Sequence, residues 1–203
     1  MKATGKLLFA ALLPFLAISL STGCKKTDGS SSPLGTVPDH FAQRVMMEEW
    51  TGEWCGSCPY GESIIEQYKR TYGDSVIVAS IHESDWLANS AYNPVSYAFA
   101  QYNFGFPCAA INRIKDPAGS DFWYSSSHWT GRIPALMSQD HKTGIALISS
   151  FSGDSATIEV HVAFKETNTN DMRLNVFLVE NNIAAHAQTG AGSGYVHLSL
   201  IHI

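Results

Sequence analysis

The chain has 203 residues, 45% of them hydrophobic and 15% charged, a profile that excludes disordered and fibrous classes and fits one or two ordinary domains. The 13 Lys and Arg against 18 Asp and Glu leave a net charge of −5 without any long run of like charges, which argues against a dedicated nucleic-acid binder.

In chain order, Lys2 and Lys6 come with an apolar stretch, Leu7–Leu20, interrupted by Pro14. A basic start, an apolar stretch too short for a bilayer span and then small residues is the layout of a secretory signal, expected to be removed and to stay outside the fold. The residues that follow, Leu20-Ser21-Thr22-Gly23-Cys24, resemble the lipobox of bacterial lipoproteins, although Ser21 stands where an aliphatic residue is usual. The resemblance implies a signal peptide over residues 1–23 and a lipid-bearing N-terminal Cys24. An ordinary secretory peptide with Cys24 as a spare thiol is the alternative. Two or three acyl chains anchor durably, since each buried methylene contributes about 0.8 kcal/mol. Lys25 resembles outer-membrane rather than inner-membrane sorting. Residues 24–40, rich in Ser, Gly and Pro over Thr27–Pro38, read as a flexible tether.

Residues 41–140 read as an α/β unit. The short run Arg44–Trp50 leads to Thr51-Gly52-Glu53-Trp54-Cys55-Gly56-Ser57-Cys58-Pro59. Beyond it Ile64, Ile65, Tyr68 and Tyr72 recur at helical spacing, and Gly73 supplies a stop. Strand, CxxC, helix is the thioredoxin layout. Two residues between the cysteines let one turn at a helix N-terminus bring both sulfurs into bonding range, and the helix end favours the first thiolate. Cys55 is expected to be the exposed nucleophile and Cys58 the resolving thiol. Trp54 flanks them as an apolar platform, Gly56 and Ser57 tune the potential, and the nearby Glu53 and Glu62 oppose thiolate formation. Glu49 matches the buried acid of thioredoxin-like proteins that takes the resolving cysteine's proton, its pKa raised by burial. With Glu48 adjacent, a solvated carboxylate is the other reading.

Val76–His82 is a β-branched run suited to a buried parallel strand. His82 at its end reads as a site residue or as a satisfied cap. Trp86, Tyr92, Tyr97, Phe99, Tyr102 and Phe104 crowd residues 85–104, either as a peptide groove or as the core of an insert. Phe104-Gly105-Phe106-Pro107 then precedes the apolar Cys108-Ala109-Ala110-Ile111, matching the loop and strand that carry a cis-proline opposite the CxxC. Pro107 is the candidate, with Phe106 beside it, and the backbone there is expected to pair with an extended substrate chain. Cys108 reads as a regulatory or metal-binding thiol, or as a buried small hydrophobe. Ser127–Gln139 is expected to be the last helix, with Leu136 and Met137 inward and Pro134 in its interior or at its start.

Residues 141–203 read as an antiparallel β-module. Ser152-Gly153-Asp154 supplies a turn, Ile158, Val160, Val162 and Phe164 alternate with Thr157, Glu159, His161 and Ala163, and Leu174, Val176 and Leu178 alternate with Arg173, Asn175 and Phe177. The module is short of the roughly 100 residues and seven strands of an immunoglobulin-like sandwich. Gly190–Gly194 reads as a flexible loop, and Leu198–Ile203 resembles translated adapter sequence. The expected architecture is therefore a thioredoxin-like domain followed by a partial, truncated antiparallel β-sandwich-like module.

Glu48-Glu49-Trp50-Thr51-Gly52, the Trp54–Pro59 segment, Val76-Ile77-Val78 leading to His82, and Gly105-Phe106-Pro107 leading to Asn112-Arg113 together resemble a family of lipid-anchored, thioredoxin-fold outer-membrane proteins named for a twenty-eight-kilodalton member. The resemblance runs from about Gln43 to Glu180 and implies fold and anchoring more than any substrate. Cys108 departs from it.

Two functions fit. One is thiol-disulfide exchange on protein cysteines of the envelope, needing no cofactor or metal. The other is a non-catalytic surface module in which the CxxC is a structural disulfide and the β-part binds a glycan, peptide or host component. A zinc site of Cys55, Cys58, Cys108 and His82 is a weaker idea, since one CxxC with one distant cysteine is a poor ligand signature. Hydrolase triad motifs, phosphate-cradling Gly loops and dinucleotide fingerprints do not occur in the chain.

Overall fold

The computed structural model describes residues 2–7, 40–89, 105–117, 122–169, 171–197 and 200–202. Cys24, the tether over 24–39 and the aromatic residues of the insert from Tyr92 to Phe104 lie outside these. The chain divides into two compact units, one drawn from residues 43–139 and 173–203, the other from 1–42 and 140–172.

The smaller unit is a three-stranded antiparallel sheet of β1 (Lys2–Leu7), β6 (Thr143–Ser152) and β7 (Ser155–Phe164), in the order β1-β7-β6. Gly153, at φ 56, makes the tight turn that only a residue without Cβ enters freely, and it sets a register from Thr143↔Phe164 to Ser152↔Ser155. Ile158, Val160 and Val162 therefore face the same way as their partners Ser149, Leu147 and Ile145, as the period-two pattern requires. Lys2–Leu7, expected to stand outside the fold, instead pairs with β7 from Lys2↔Ala163 to Leu7↔Ile158. An edge strand offers a row of unpaired N–H and C=O groups, and an extended hexapeptide satisfies them.

The larger unit is built on a six-stranded mixed sheet. In chain order its strands are β2 (Val45–Thr51), β3 (Val76–His82), β4 (Cys108–Ile111), β5 (Trp123–Ser125), β8 (Leu178–Glu180) and β11 (Leu200–His202), arranged β5-β4-β2-β3-β11-β8. β2 runs parallel to β3 and antiparallel to β4, and β4 is antiparallel to β5. Helix α1 (Cys58–Tyr72) follows β2, and α2 (Ser126–Met137) follows β5. The two strands β9 (Ile183–Ala184) and β10 (Val196–His197) form a small antiparallel pair.

The helical period of α1 does what its spacing predicts. Ile64, Ile65 and Tyr68 are buried, Tyr72 packs against them, and Gly73 at φ 56 closes the helix by donating its N–H to Lys69 O. With Trp129, Ile133 and Leu136 of α2 they cover Val45 and Met47 on one face of β2. α2 overlaps the expected helix over Ser127–Met137, with Pro134 in its interior, one of the two places expected for it. The other face carries Trp50, Ala79, Ile81, Cys108 and Ala110, with Met46, Phe106, Phe177 and Val179 packed against them.

The C-terminal part departs from the sequence reading. Residues 173–203 return to the larger unit and supply two strands of its sheet, rather than extending the β6–β7 hairpin. The alternation is also inverted: Leu174, Val176 and Leu178 are exposed, while Phe177 and Val179 join the core. A one-residue shift of register turns every side chain to the opposite face, and the buried Trp50 and Ile81 surface selects Phe177.

Candidate functional site

β2 delivers Thr51 to a tight turn in which Cys55 N donates to Gly52 O at 3.0 Å and Cys58 N to Cys55 O at 3.3 Å. The turn opens α1 with Pro59 in the first helical positions, where its missing N–H costs nothing. Cys55 and Cys58 form a disulfide with Cα atoms 5.5 Å apart.

The Phe106–Pro107 peptide is cis, at the candidate position. Its loop is pinned to the CxxC turn from three sides. Ser57 Oγ donates to Phe106 O at 3.0 Å. The Phe106 ring meets Trp54 edge-on at 5.2 Å, and Trp54 Nε1 donates to Glu83 O. Gly61 lets α1 approach closely, because a Cβ there would stand 2.7 Å from Pro107 Cγ and 3.2 Å from the Trp129 ring.

The adjacent carboxylates of β2 separate by strand alternation. Glu48 lies on the Trp50 face and is clamped by Arg113, whose Nε and a terminal nitrogen donate to its two oxygens at 2.7 and 2.6 Å. Glu49 lies on the face that α1 covers, is 2% exposed, and accepts from Ser80 Oγ at 3.0 Å. Its Oε1 has no hydrogen-bond partner among the described residues. Burial, reinforced by Glu62 on α1 and opposed by the Ser80 bond, pushes its pKa up to about 8. This is the behaviour expected of the buried acid.

The expectation for Cys55 needs correction. Cys55 is not an exposed nucleophile: its exposure is 4%, and that of Cys58 is 2%. Cys108 takes the second of its two readings, the buried small hydrophobe, rather than that of a third thiol at the site. It is fully buried on the sheet face away from α1, packed with Trp50 and Ile81. The zinc set does not assemble either, because Cys55 and Cys58 bond each other and Cys108 lies across the sheet.

The connection between β9 and β10, whose Gly190–Gly194 part reads from sequence as a flexible loop, lies against the backbone of the CxxC turn. Thr189 N donates to Glu53 O at 2.7 Å, and Gln188 Nε2 to Cys55 O at 3.0 Å. Gly190, at φ 81, presses on the turn so closely that a Cβ would stand 2.4 Å from Gly56 O. Tyr195 donates to Glu62, and the His186 ring stacks on Trp86 at 3.9 Å.

His82 belongs to a buried polar cluster at the same end of the sheet. Its Nδ1 lies 2.7 Å from Asp85 Oδ2, and its ring meets that of His197 at 4.6 Å. Burial alone would raise Asp85, but hydrogen bonds from His82 and from the Glu53 and Leu87 amides hold it below the usual carboxylate range. Glu53 is likewise lowered against the pull of burial, by Trp86 and the His186 and Ala187 amides. His197 is pushed down by burial and by His82, despite the nearby carboxylates. Sequence reasoning reached His82 but missed His186, Gln188, Gly190, Tyr195 and His197, which carry no local motif.

The chain matches the Outer membrane protein Omp28 family over residues 97–198, half of its length. It belongs to the Omp28 family. The family match takes in Phe106-Pro107, Asn112-Arg113 and the β9–β10 segment, and begins after the CxxC turn, later than the expected start near Gln43. Among solved structures, HBP35 of Porphyromonas gingivalis matches with a TM-score of 0.60 and 20% identity, covering 79% of this chain and 56% of that one. This Omp28-family chain thus spans little more than half the length of that relative, and the likeness is consistent with a thioredoxin-like fold. A protein from Agrobacterium tumefaciens matches at 18% identity over 60% of this chain and 57% of that one, with a TM-score of 0.42 that is too low to assign a fold. No curated protein matches. Among the described residues no helix is long and apolar enough to cross a membrane.

Proposed function

We propose that this Omp28-family protein is a lipid-anchored, thioredoxin-like thiol-disulfide exchange protein acting on protein cysteines at the outer membrane. One observation carries the reading: a Cys55–Cys58 disulfide at the N-terminus of α1, against the cis-Pro107 loop, with the buried Glu49 on the sheet face that α1 covers. In the oxidising direction a substrate thiolate attacks Cys55 Sγ. The Cys55–Cys58 bond breaks, and its electron pair leaves on Cys58, which takes a proton from Glu49. A second substrate thiolate then attacks the substrate sulfur of the mixed disulfide and releases Cys55. The substrate gains a disulfide, and the pair gains two electrons. The reducing direction is the reverse.

Titration of the pair against glutathione is expected to place it within the range of about −120 to −270 mV spanned by dithiol exchange proteins. Cys58→Ala is then expected to accumulate mixed disulfides through Cys55. A potential below about −300 mV with no trapped partner would sink the reading. The burial of Cys55 favours a second reading, in which the disulfide staples a non-catalytic binding module, and the same titration separates the two.

Cys24 is the proposed lipid attachment site. Cys24→Ser expressed in an envelope-bearing host is expected to lose fatty-acid label and leave the membrane pellet. Label and pelleting unchanged in that variant would remove the anchor.

A further inference from the structure

The β9–β10 connection, residues 185–195, sits where a reacting polypeptide would have to arrive. It lies along the CxxC turn: the backbone N–H of Thr189 donates to Glu53 O, the Gln188 side-chain amide donates to Cys55 O, and Gly190 sits against Gly56 O. With the segment in place Cys55 is 4% exposed, which leaves an attacking thiolate little room to align with the disulfide.

The same segment is built to leave. Its residues are mostly Ala, Gly and Ser, and of 185–195 only Gln188 is buried. It is therefore held by hydrogen bonds and one ring stack rather than by apolar burial, the mark of a region that opens locally without unfolding the core. Gly190 at φ 81 and Gly194 at φ 83 place two unhindered backbone positions within it.

We propose that residues 185–195 are a strap that keeps the Cys55–Cys58 disulfide latent, occupying the seat of an incoming polypeptide, and that exchange proceeds only when the strap lifts. The substrate class that fits is an extended polypeptide able to displace it, with a small residue where Gly190 now lies, since any Cβ there meets the Gly56 carbonyl. The proposal rests on the exchange reading for its purpose, but the closure itself is independent of it.

The test is the rate at which dithiothreitol reduces the disulfide of the full chain, read by alkylation and mass spectrometry, in wild type, Gly190→Val and Gln188→Ala. Gly190→Val introduces a Cβ against Gly56 O, whereas Gln188→Ala only removes the amide bonds to the turn and keeps the test valid if the valine variant misfolds. Both are expected to be reduced about tenfold faster or more, with near-UV circular dichroism unchanged, because local opening governs access. Wild-type rates in both variants would overturn the strap. So would a wild-type chain reduced as fast as the same chain unfolded in guanidinium. Turnover of a protein disulfide such as insulin separates the two ideas: fast reduction of the variants without any turnover leaves the strap standing and removes the exchange function.

Discussion

Glu49→Gln is expected to flatten the pH dependence of stability and to make the protein more stable than wild type in alkali. The sign follows from the proton balance. The folded chain keeps the Glu49 proton up to about pH 8, while the unfolded chain releases it near 4.5. The stability associated with this residue is full below the unfolded value and is lost as pH rises through the folded one. At pH 7 the loss amounts to roughly 3 kcal/mol. Glutamine removes that titration and still accepts from Ser80, at the cost of one buried amide nitrogen without a partner, about 1 to 3 kcal/mol. The variant is thus expected to melt slightly below wild type at pH 5 and several degrees above it at pH 9, at about 2 to 4 °C per kcal/mol. Melting curves for both proteins across this range provide the check, and parallel profiles would show that Glu49 does not hold the proton. If exchange runs by the proposed route, in which Glu49 supplies the Cys58 proton, the same substitution is expected to slow it and to erase any rate transition near pH 8.

Arg113→Ala is expected to cost about 3 kcal/mol, the lower end of the range for breaking a buried ion pair. Glu48 is 1% exposed, and the Arg113 fork satisfies both its oxygens. Arg113 itself is 34% exposed, so water can partly replace it, which is why the lower figure applies. The effect reaches beyond the pair, because Asn112 in the same turn donates its N–H to Met46 O and accepts from Met46 N, tying the turn to β2. A fall of about 6 to 12 °C in melting temperature is the expected reading. Lysine is expected to restore only part of it, since a point charge cannot replace a two-pronged contact. Glu48→Gln in the Arg113→Ala background is expected to recover most of it, which distinguishes a stranded carboxylate from lost packing. Equal losses in the single and double variants would rule out the charge as the cause.

How much of this was legible in the chain depends on the range over which each feature is encoded. The disulfide turn and α1 lie within one contiguous stretch, so the CxxC spacing, Pro59, the apolar period through Tyr72 and the Gly73 stop determine them locally. The same holds for β3 and the β6–β7 hairpin around Gly153, whereas Pro107 by itself only permits the cis bond before it, whose place follows from the thioredoxin layout. The separation of Glu48 from Glu49 was half legible. Alternation dictates that they face opposite ways, but only the neighbours decide which meets Arg113 and which is buried under α1. The inverted burial of Phe177 and Val179, the face taken by Cys108 and the closure over Cys55 were not legible. Gln188 meets Cys55 across 133 positions of sequence, and a Gly-rich stretch has no side-chain period to announce such a contact. Local patterns determine which elements form. Which surfaces meet is decided only when the sheet brings distant segments together, because the free energy of those contacts belongs to the assembled core and its edges rather than to any one segment.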